Sequence, residues 1–223
     1  MSSQLSTSIA QEAQQTRNTQ DKERTMLSKT AKWLALWVVA NIIGFSLGEL
    51  VGGRTGLFGL IGNLRGIDAG WWWMVGCLPY GFLFGLCEKV LMQPSPANRL
   101  HPGYPTFWQT WSWPIASAVG YAIGIGFGEK FTYGLVPNPI FLGPVFGLFV
   151  GLFLGIAQAI ALQGQCAHSW RWVPACVLVW VIGEWAAFVL GFQFRSTPIV
   201  GAVIGTVSGL MLLWLCPRLA QLK

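Results

Sequence analysis

Four glutamates stand within or at the ends of stretches of this sequence that are otherwise apolar, and their type makes them candidates for chemistry. They are Glu49, Glu88, Glu129 and Glu184, and the amide Gln158 ends a further apolar stretch. A charged side chain near the middle of a bilayer costs about 3 kcal/mol on insertion scales, so such residues usually face the bundle interior and often mark a pathway or binding site. The pattern predicts ion or proton binding at these five side chains, or pairing with a partner protein.

Two of the acids lie near the ends of their stretches. Glu49 and Glu129 each follow a tryptophan by sixteen residues, which is about 24 Å along a helix that rises about 1.5 Å per residue. That distance places both near the outer membrane interface. A carboxylate there can also have a purely structural role, by pairing with a loop base such as Arg54 or Lys130.

The deepest acid is the strongest functional candidate. Glu184 lies about 18 Å along its stretch from Trp172 by the same rise per residue. The structural alternative is a buried acid that is hydrogen-bonded to Trp180 or to a backbone carbonyl of a neighbouring span. Glu88 directly precedes Lys89 near the inner end of its own stretch. Both alternatives for Glu184 are compatible with the sequence.

The composition identifies the class of protein that holds these acids. Of the 223 residues, 53% are hydrophobic and only 10% are charged, with 28 Gly, 13 Trp and a mean hydropathy of +0.53. The charged fraction of a soluble domain is about 25%, so the sequence predicts an integral membrane protein. Six runs are long enough to cross a hydrocarbon core, which needs about 20 residues: 33–51, 71–92, 111–128, 140–162, 172–192 and 198–216.

Internal repeats divide the six runs into pairs. In the odd runs a tryptophan stands eleven residues before a glycine, as in Trp33/Gly44, Trp113/Gly124 and Trp172/Gly183. In the even runs the motif Gly-x-x-x-Gly-x-x-polar recurs as Gly81/Gly85/Glu88, Gly151/Gly155/Gln158 and Gly201/Gly205/Ser208. The sequence therefore predicts three hairpins of two helices each.

The predicted fold is all-α and integral to the membrane, with six transmembrane helices arranged as three helical-hairpin repeats. Because each hairpin starts and ends on the same side, the copies share one orientation, and we expect a pseudo-threefold axis along the membrane normal. The glycines of the even runs would then either meet near that axis or pack on adjacent odd runs. Both arrangements use the close approach of helices that glycine permits.

The fourth run carries the longest series of regularly spaced glycines. Gly143, Gly147, Gly151 and Gly155 recur at every fourth residue, which puts them on one face of a helix. Such a face is a groove into which a neighbouring backbone can pack closely. We expect helix-packing roles for this series and for the other spaced glycines of the runs, namely Gly44, Gly48, Gly81, Gly85, Gly120, Gly124, Gly128, Gly201, Gly205 and Gly209.

The first 32 residues differ from the rest of the chain. They are rich in Ser, Thr, Gln and Asn without an apolar period, a composition typical of a segment that cannot bury enough surface to fold by itself. We expect a polar cytoplasmic tail at 1–32 that is disordered unless bound, a membrane domain at 33–216, and a short basic end at 217–223. The polar stretch is too long for a cleavable signal peptide.

The distribution of basic residues predicts that both termini are cytoplasmic. Six spans put both termini on one side, and ten of the 14 Lys and Arg residues then lie on the inner side. Loops rich in Lys and Arg stay in the cytoplasm, partly because they contact anionic lipid headgroups. Nucleic-acid binding by the tail is not expected. The inner set is Arg17, Lys22, Arg24, Lys29, Lys32, Lys89, Arg99, Arg171, Arg218 and Lys223.

The repeat motifs carry a resemblance to a known family. A Trp-rich odd run that ends in Gly or Gly-Glu is paired with Gly-x-x-x-Gly-x-x-Gln, here Gly151-Leu-Phe-Leu-Gly155-Ile-Ala-Gln158. This pairing resembles small, repeated, Gly- and Trp-rich membrane proteins of cyanobacteria, a family largely of unknown function. The likeness covers roughly residues 33–216, and Glu88 stands where the family pattern has Gln. The resemblance implies a plasma or thylakoid membrane location and a repeated architecture, but no activity.

No metal site is expected from the cysteines. Their spacing matches neither a metal motif nor a disulfide framework, so we expect small, buried, reduced side chains at all five. Cys166 and His168 lie close together in one loop, but two ligands are too small a set to hold a metal. The five are Cys77, Cys87, Cys166, Cys176 and Cys216.

No cofactor is implied by the aromatic residues either. Most of the tryptophans, including Trp113 and Trp172, are predicted to be anchors at the membrane interface. Stacking on a bound pigment or quinone is the alternative. Histidine ligation of a pigment within the membrane is disfavoured because His101 and His168 both fall in inner loops. Bound lipid, or a pigment held by a Glu or Gln side chain, is compatible with the sequence.

Two classes of function fit these features. No H-E-x-x-H, G-x-S-x-G or phosphate-binding motif occurs, so we expect no enzyme. One class is a scaffold or accessory subunit of a larger membrane complex, which contacts lipids and a protein partner or second copy through its glycine faces and N-terminal tail. The alternative is a permease or carrier of an ion or small solute that uses the intramembrane acids. Few polar residues line the runs, which favours the scaffold.

Overall fold

The computed structural model contains helices and no strands among the residues that it describes, which are 2–52, 60, 69–92, 107–136, 139–163, 166, 168–189 and 197–215. Within this part of the chain, a 3-10 turn at Ser169–Arg171 leads into the fifth of six long helices. Each predicted apolar run coincides with one of these helices. Their bounds are α1 Ser2–Gly52, α2 Ala69–Met92, α3 Phe107–Leu135, α4 Pro139–Ala161, α5 Trp172–Val189 and α6 Thr197–Leu215.

Five of these helices, namely α1, α2, α4, α5 and α6, are long and apolar enough to cross a membrane. The third helix, α3, is long enough at 29 residues, but it includes Glu129, Lys130 and several hydroxyl residues, so it is less apolar. Large apolar side chains such as Leu47, Leu178 and Leu210 are exposed on the outside of the helices. Soluble monomers rarely expose large apolar patches. These features are those of a helical membrane protein.

The six helices form a closed ring. Each helix packs on its neighbours in the sequence, and α6 packs back on α1. The ring surrounds a core of buried side chains to which all six helices contribute. Residues that are far apart in the sequence are therefore brought together in its interior.

The spaced glycines lie along the lines of contact between adjacent helices, which we call seams. The glycines of the α1 series face α2, those of α2 face α3, and the same direction holds around the ring until those of α6 face α1. At the α4–α5 seam, a Cβ atom added at Gly143 would lie 2.7 Å from the carbonyl oxygen of Glu184. Of the two arrangements that the sequence allows, the glycines of the even runs thus pack on adjacent odd helices and not at the axis.

The first helix is longer than a membrane span because residues of the expected tail belong to it. The sequence predicts that residues 1–32 are disordered unless bound, whereas the structure is helical from Ser2. No Gly or Pro occurs before Gly44, so nothing in the sequence ends the helix between tail and span. Every side chain from Gln14 to Lys29 is exposed. Residues 2–32, which we call the N-terminal extension, project from the ring.

One cysteine departs from the expectation that all five are reduced. Cys77, Cys87 and Cys176 are free thiols, as expected. Cys166 is disulfide-bonded, and its partner lies outside the described residues, as does Cys216. A disulfide between segments that the fold brings together leaves no local spacing in the sequence, so the pattern of cysteines could not reveal it.

Candidate functional site in the interior of the ring

Three tryptophan indole groups donate hydrogen bonds to three polar side chains inside the ring. Each acceptor is the polar residue that ends a Gly-x-x-x-Gly-x-x-polar motif, and each donor lies on a neighbouring odd helix. We call these six residues the tryptophan layer. The bonds, each 2.9 Å long, are Trp113 Nε1 to Glu88 Oε2, Trp172 Nε1 to Gln158 Oε1, and Trp37 Nε1 to Ser208 Oγ.

The donor on α1 is not the tryptophan that the repeat predicts. Trp33 precedes its glycine by eleven residues, as Trp113 and Trp172 do, but Trp33 Nε1 has no hydrogen-bond partner among the described residues. Trp37, one turn later, donates instead and stacks on Trp33 with ring centroids 5.2 Å apart. The acceptor here is Ser208, whose side chain is shorter than Glu or Gln, and so the donor must come from a different turn.

The tryptophan layer corrects the prediction that Trp113 and Trp172 are anchors in the membrane interface. Trp113 and Trp172 are buried at 2% and 3% exposure and point their N–H groups into the ring. A buried indole N–H needs an acceptor. The motif residues Glu88 and Gln158 supply these acceptors, which is a structural role for two of the five candidate side chains.

Gln158 is the most fully bonded of the candidates. Besides accepting from Trp172, its amide nitrogen donates to Ser117 Oγ over 2.9 Å. The residue is buried at 2% exposure, and a buried amide is expected to use both of its ends in this way. Gln158 therefore ties α4 to both α3 and α5.

Glu88 also has more than one neighbour. Its carboxylate interacts with the side chain of Asn41 on α1, in addition to accepting from Trp113. Asn41 Nδ2 in turn donates to the carbonyl oxygen of Trp37 over 3.0 Å. Glu88 thus links α1, α2 and α3, and Gln158 links α3, α4 and α5.

Aromatic rings fill the ring interior beside this layer. Contacts between ring centroids of 4.8 Å for Tyr80 and Tyr121, 5.4 Å for Tyr121 and Trp180, and 5.5 Å for Phe45 and Phe84 show that the rings touch one another. Such spacing is that of favourable aromatic pairs. We call Phe45, Tyr80, Phe84, Tyr121 and Trp180 the aromatic layer. Its packing fills the space that a wide aqueous path would need.

Glu184 lies one helical turn from Trp180 of the aromatic layer. Its side chain is 6% exposed, and its Oε2 atom has no hydrogen-bond partner among the residues that the structure describes. The expected bond to Trp180 or to a neighbouring backbone carbonyl is therefore not made by this oxygen. Leaving a buried polar group unpaired costs about 1–3 kcal/mol. Within the described part of the chain, no other acid has a buried oxygen left in this state.

The repeat register shows why this position is unusual. Counted from Trp172, Glu184 is the twelfth residue, and the corresponding residues counted from Trp33 and Trp113 are Phe45 and Ile125. All three are buried. An acid thus occupies one of three equivalent positions at which the other two repeats have an apolar side chain.

The remaining acids, Glu49 and Glu129, are partly exposed and both take part in interactions. Glu49 and Glu184 both lie close enough to Tyr80 and Tyr121 to interact electrostatically with their hydroxyl groups. These four side chains therefore belong to one electrostatic group. Arg54, the expected partner of Glu49, lies outside the described residues.

The described residues contain no group of three or more His, Cys, Asp or Glu side chains that could hold a metal ion. Comparison of the chain with known protein families, with characterised proteins and with solved structures finds no match. Any function must therefore be argued from the geometry of the ring and of the N-terminal extension.

Proposed function

We propose that the chain is a scaffold or accessory subunit of a larger membrane complex, and that it contacts its partner through the N-terminal extension. The observation that carries this proposal is the contrast between two surfaces. The spaced glycines are covered by the chain's own helices, whereas the extension is exposed on all sides from Gln14 to Lys29. A groove that is already filled cannot accept a partner helix, so the extension replaces the glycine faces as the proposed contact.

The charge of the extension indicates the chemistry of the partner. Residues 14–32 contain five basic and two acidic side chains, which leaves a net charge of +3. Complementary charge steers association and fixes which partner is chosen. A partner with an acidic surface fits this extension, while the bases nearest the span, Lys29 and Lys32, are placed to contact anionic lipid headgroups.

Deletion of the extension tests the proposal. The full chain and a variant lacking residues 2–28 are purified in mild detergent from native membranes, and the size of each complex is measured. We expect the full chain to migrate in a larger assembly and the deletion variant to migrate alone. As a matched control, Gln14, Gln15 and Gln20 are replaced by Ala, which keeps the helix and its charge. A deletion variant that still enters the larger assembly contradicts the proposal.

We further propose that the helices are three hairpin repeats related by a pseudo-threefold axis, with six spans and both termini in the cytoplasm. The three Trp-to-polar hydrogen bonds, one for each even helix, support the repeat. The distribution of Lys and Arg supports the orientation. The resemblance to the cyanobacterial proteins supports a plasma or thylakoid membrane.

Cys166 provides a test of that orientation. Disulfides persist in oxidising compartments, while the proposed orientation places the loop that contains Cys166 on the cytoplasmic side. In intact cells, the free thiols are blocked first and the disulfide of Cys166 is then reduced. A membrane-impermeant thiol reagent is added last. Cytoplasmic placement predicts no labelling at Cys166 until the membrane is opened. Labelling of Cys166 in intact cells would show that its loop lies outside and that the whole ring has the opposite orientation.

A carrier of an ion or small solute is the second candidate. The observation that favours it is the unpaired carboxylate oxygen of Glu184 in the ring interior. In reconstituted vesicles, a carrier should show a flux that Glu184→Gln abolishes while folding is retained. Absence of flux from both proteins favours the scaffold.

A further inference from the structure

We propose that Glu184 is a proton-binding site in the interior of the ring, and that its carboxyl group is neutral while the ring is closed. The proposal begins with the geometry of the side chain. Glu184 is almost fully buried, and its Oε2 atom meets neither solvent nor a hydrogen-bond partner among the described residues. An isolated carboxylate in such a place is so costly that the group takes up a proton instead.

The described residues of the helices that pack on α5 supply no positive charge to offset an ionised carboxylate. The titratable groups that face this level are Glu49 from α1, Cys77 and Tyr80 from α2, and Tyr121 from α3. The described residues of α4 and α6 contain no titratable side chain, and those of α5 contain no basic one. The burial of the carboxyl group is therefore what disfavours its ionised form.

The close packing of the aromatic layer favours a proton over larger cations as the ligand of Glu184. The rings of the aromatic layer touch one another, with centroid separations down to 4.8 Å, and the described residues provide no set of three metal ligands. A metal ion or an organic amine would need both space and further oxygen ligands or an open aromatic cage. A proton needs no volume.

The repeat register gives the proposal its second support. The equivalent residues Phe45 and Ile125 are apolar and buried, so the position accepts a neutral side chain in two of the three repeats. A neutral carboxylic acid is the form of Glu that fits such a position. If an opening of the ring admits water, the O–H bond of this acid breaks and the proton passes to water, leaving a solvated carboxylate. This inference does not depend on the docking role of the N-terminal extension.

Infrared spectroscopy of the full chain in lipid nanodiscs at neutral pH tests the proposal. The C=O stretch of a protonated carboxyl group is separate from the bands of carboxylates and amides. We expect the wild-type spectrum to contain this band and Glu184→Gln to lose an intensity of one carboxyl group per chain. Glu129→Gln, which removes a partly exposed acid, should leave the band unchanged.

A second variant guards against failure of Glu184→Gln to fold. Glu184→Leu places at this position an apolar side chain of the kind found at its two equivalents, and we expect it to lose the same band and to raise the Tm. An unchanged intensity of the band in both variants, or its absence from the wild type, contradicts the proposal. Loss of the wild-type band on addition of Na⁺ or K⁺ would assign the site to a metal cation and would also overturn it.

Discussion

Helix α5 packs on α4 and on α6 by different means. On the α4 side, a Cβ atom added at Gly151 would lie 2.6 Å from Val177 Cα, and one added at Gly147 would meet the backbone of Trp180. On the α6 side, a Cβ atom added at Gly183 would lie 2.5 Å from Cγ1 of the Ile204 side chain. A side chain can rotate away from a new atom, whereas a backbone can yield only if the helix moves.

The α4–α5 seam is therefore rigid, whereas the α5–α6 seam can adjust. The hydrogen bond from Trp172 to Gln158 also crosses the α4–α5 seam. Glu184 lies on the same helix, next to Gly183, and its own carbonyl group packs on Gly143 of α4. If water reaches this acid, we expect it to enter by separation of α5 from α6.

The largest difference is expected when one methyl group is added at the α4–α5 seam and, in a second variant, at the α5–α6 seam. Gly151→Ala forces an atom against the backbone of α5, and such overpacking costs up to about 3 kcal/mol. Gly183→Ala meets the Ile204 side chain, which can shift more readily than a backbone, and we expect a smaller cost of about 1 kcal/mol. Thermal or denaturant unfolding of both variants in the same detergent measures the difference. Equal losses would remove the distinction between the seams.

A smaller effect is expected from removing a single indole hydrogen bond. Trp172→Phe deletes the donor to Gln158 and leaves a buried amide oxygen unpaired, which we expect to cost about 1 kcal/mol more than the loss of volume alone. Trp33→Phe is the matched control, because Trp33 is equally buried but its Nε1 atom has no partner among the described residues. The two free energies of unfolding are compared directly. If Trp33→Phe is the more destabilising, the hydrogen bond is not what holds this seam.

The smallest effect is expected at the α2–α3 seam, where an acid stands in place of the amide. Glu88→Gln keeps an acceptor for Trp113 and reproduces the Trp172–Gln158 pair, so we expect a change below about 0.5 kcal/mol. Glu88→Leu removes the acceptor and should cost about 1 kcal/mol. Unfolding measured as above distinguishes them. Should Glu88→Gln be as damaging as Glu88→Leu, the negative charge of Glu88 matters more than its acceptance of hydrogen bonds.

The glycine spacing was sufficient to predict close packing of helices, because a missing side chain is a local property of the sequence. Which helix each groove receives was not predictable, since this depends on the order of the helices around the ring. For the same reason, the repeat aligned Trp33 with Trp113 and Trp172 but could not show that Trp37 is the hydrogen-bond donor on α1. The reach of the acceptor Ser208 decides between the two, and reach becomes visible only when both helices are in place.

The depth of Glu184 along its span was enough to make it the main functional candidate. Whether its carboxyl oxygen has a hydrogen-bond partner depends on which residues of the other helices lie beside it. Tyr80 and Tyr121 were not among the predicted site residues, since an isolated tyrosine in an apolar run has no distinguishing pattern. The sequence did not indicate the helix of the N-terminal extension, for a different reason. Its composition cannot support independent folding, yet a helix that continues from an existing span avoids the cost of nucleation.

The unbroken first helix gives the molecule a mechanical property. Its 51 residues form a rod about 76 Å long at about 1.5 Å per residue, with no hinge residue before Gly44. A tilt imposed at the free end therefore becomes a torque on the other end, where Gly44 and Gly48 meet Phe84 and Tyr80 of α2 with little clearance. A partner that binds and tilts the extension would therefore transmit force along α1 to the aromatic layer.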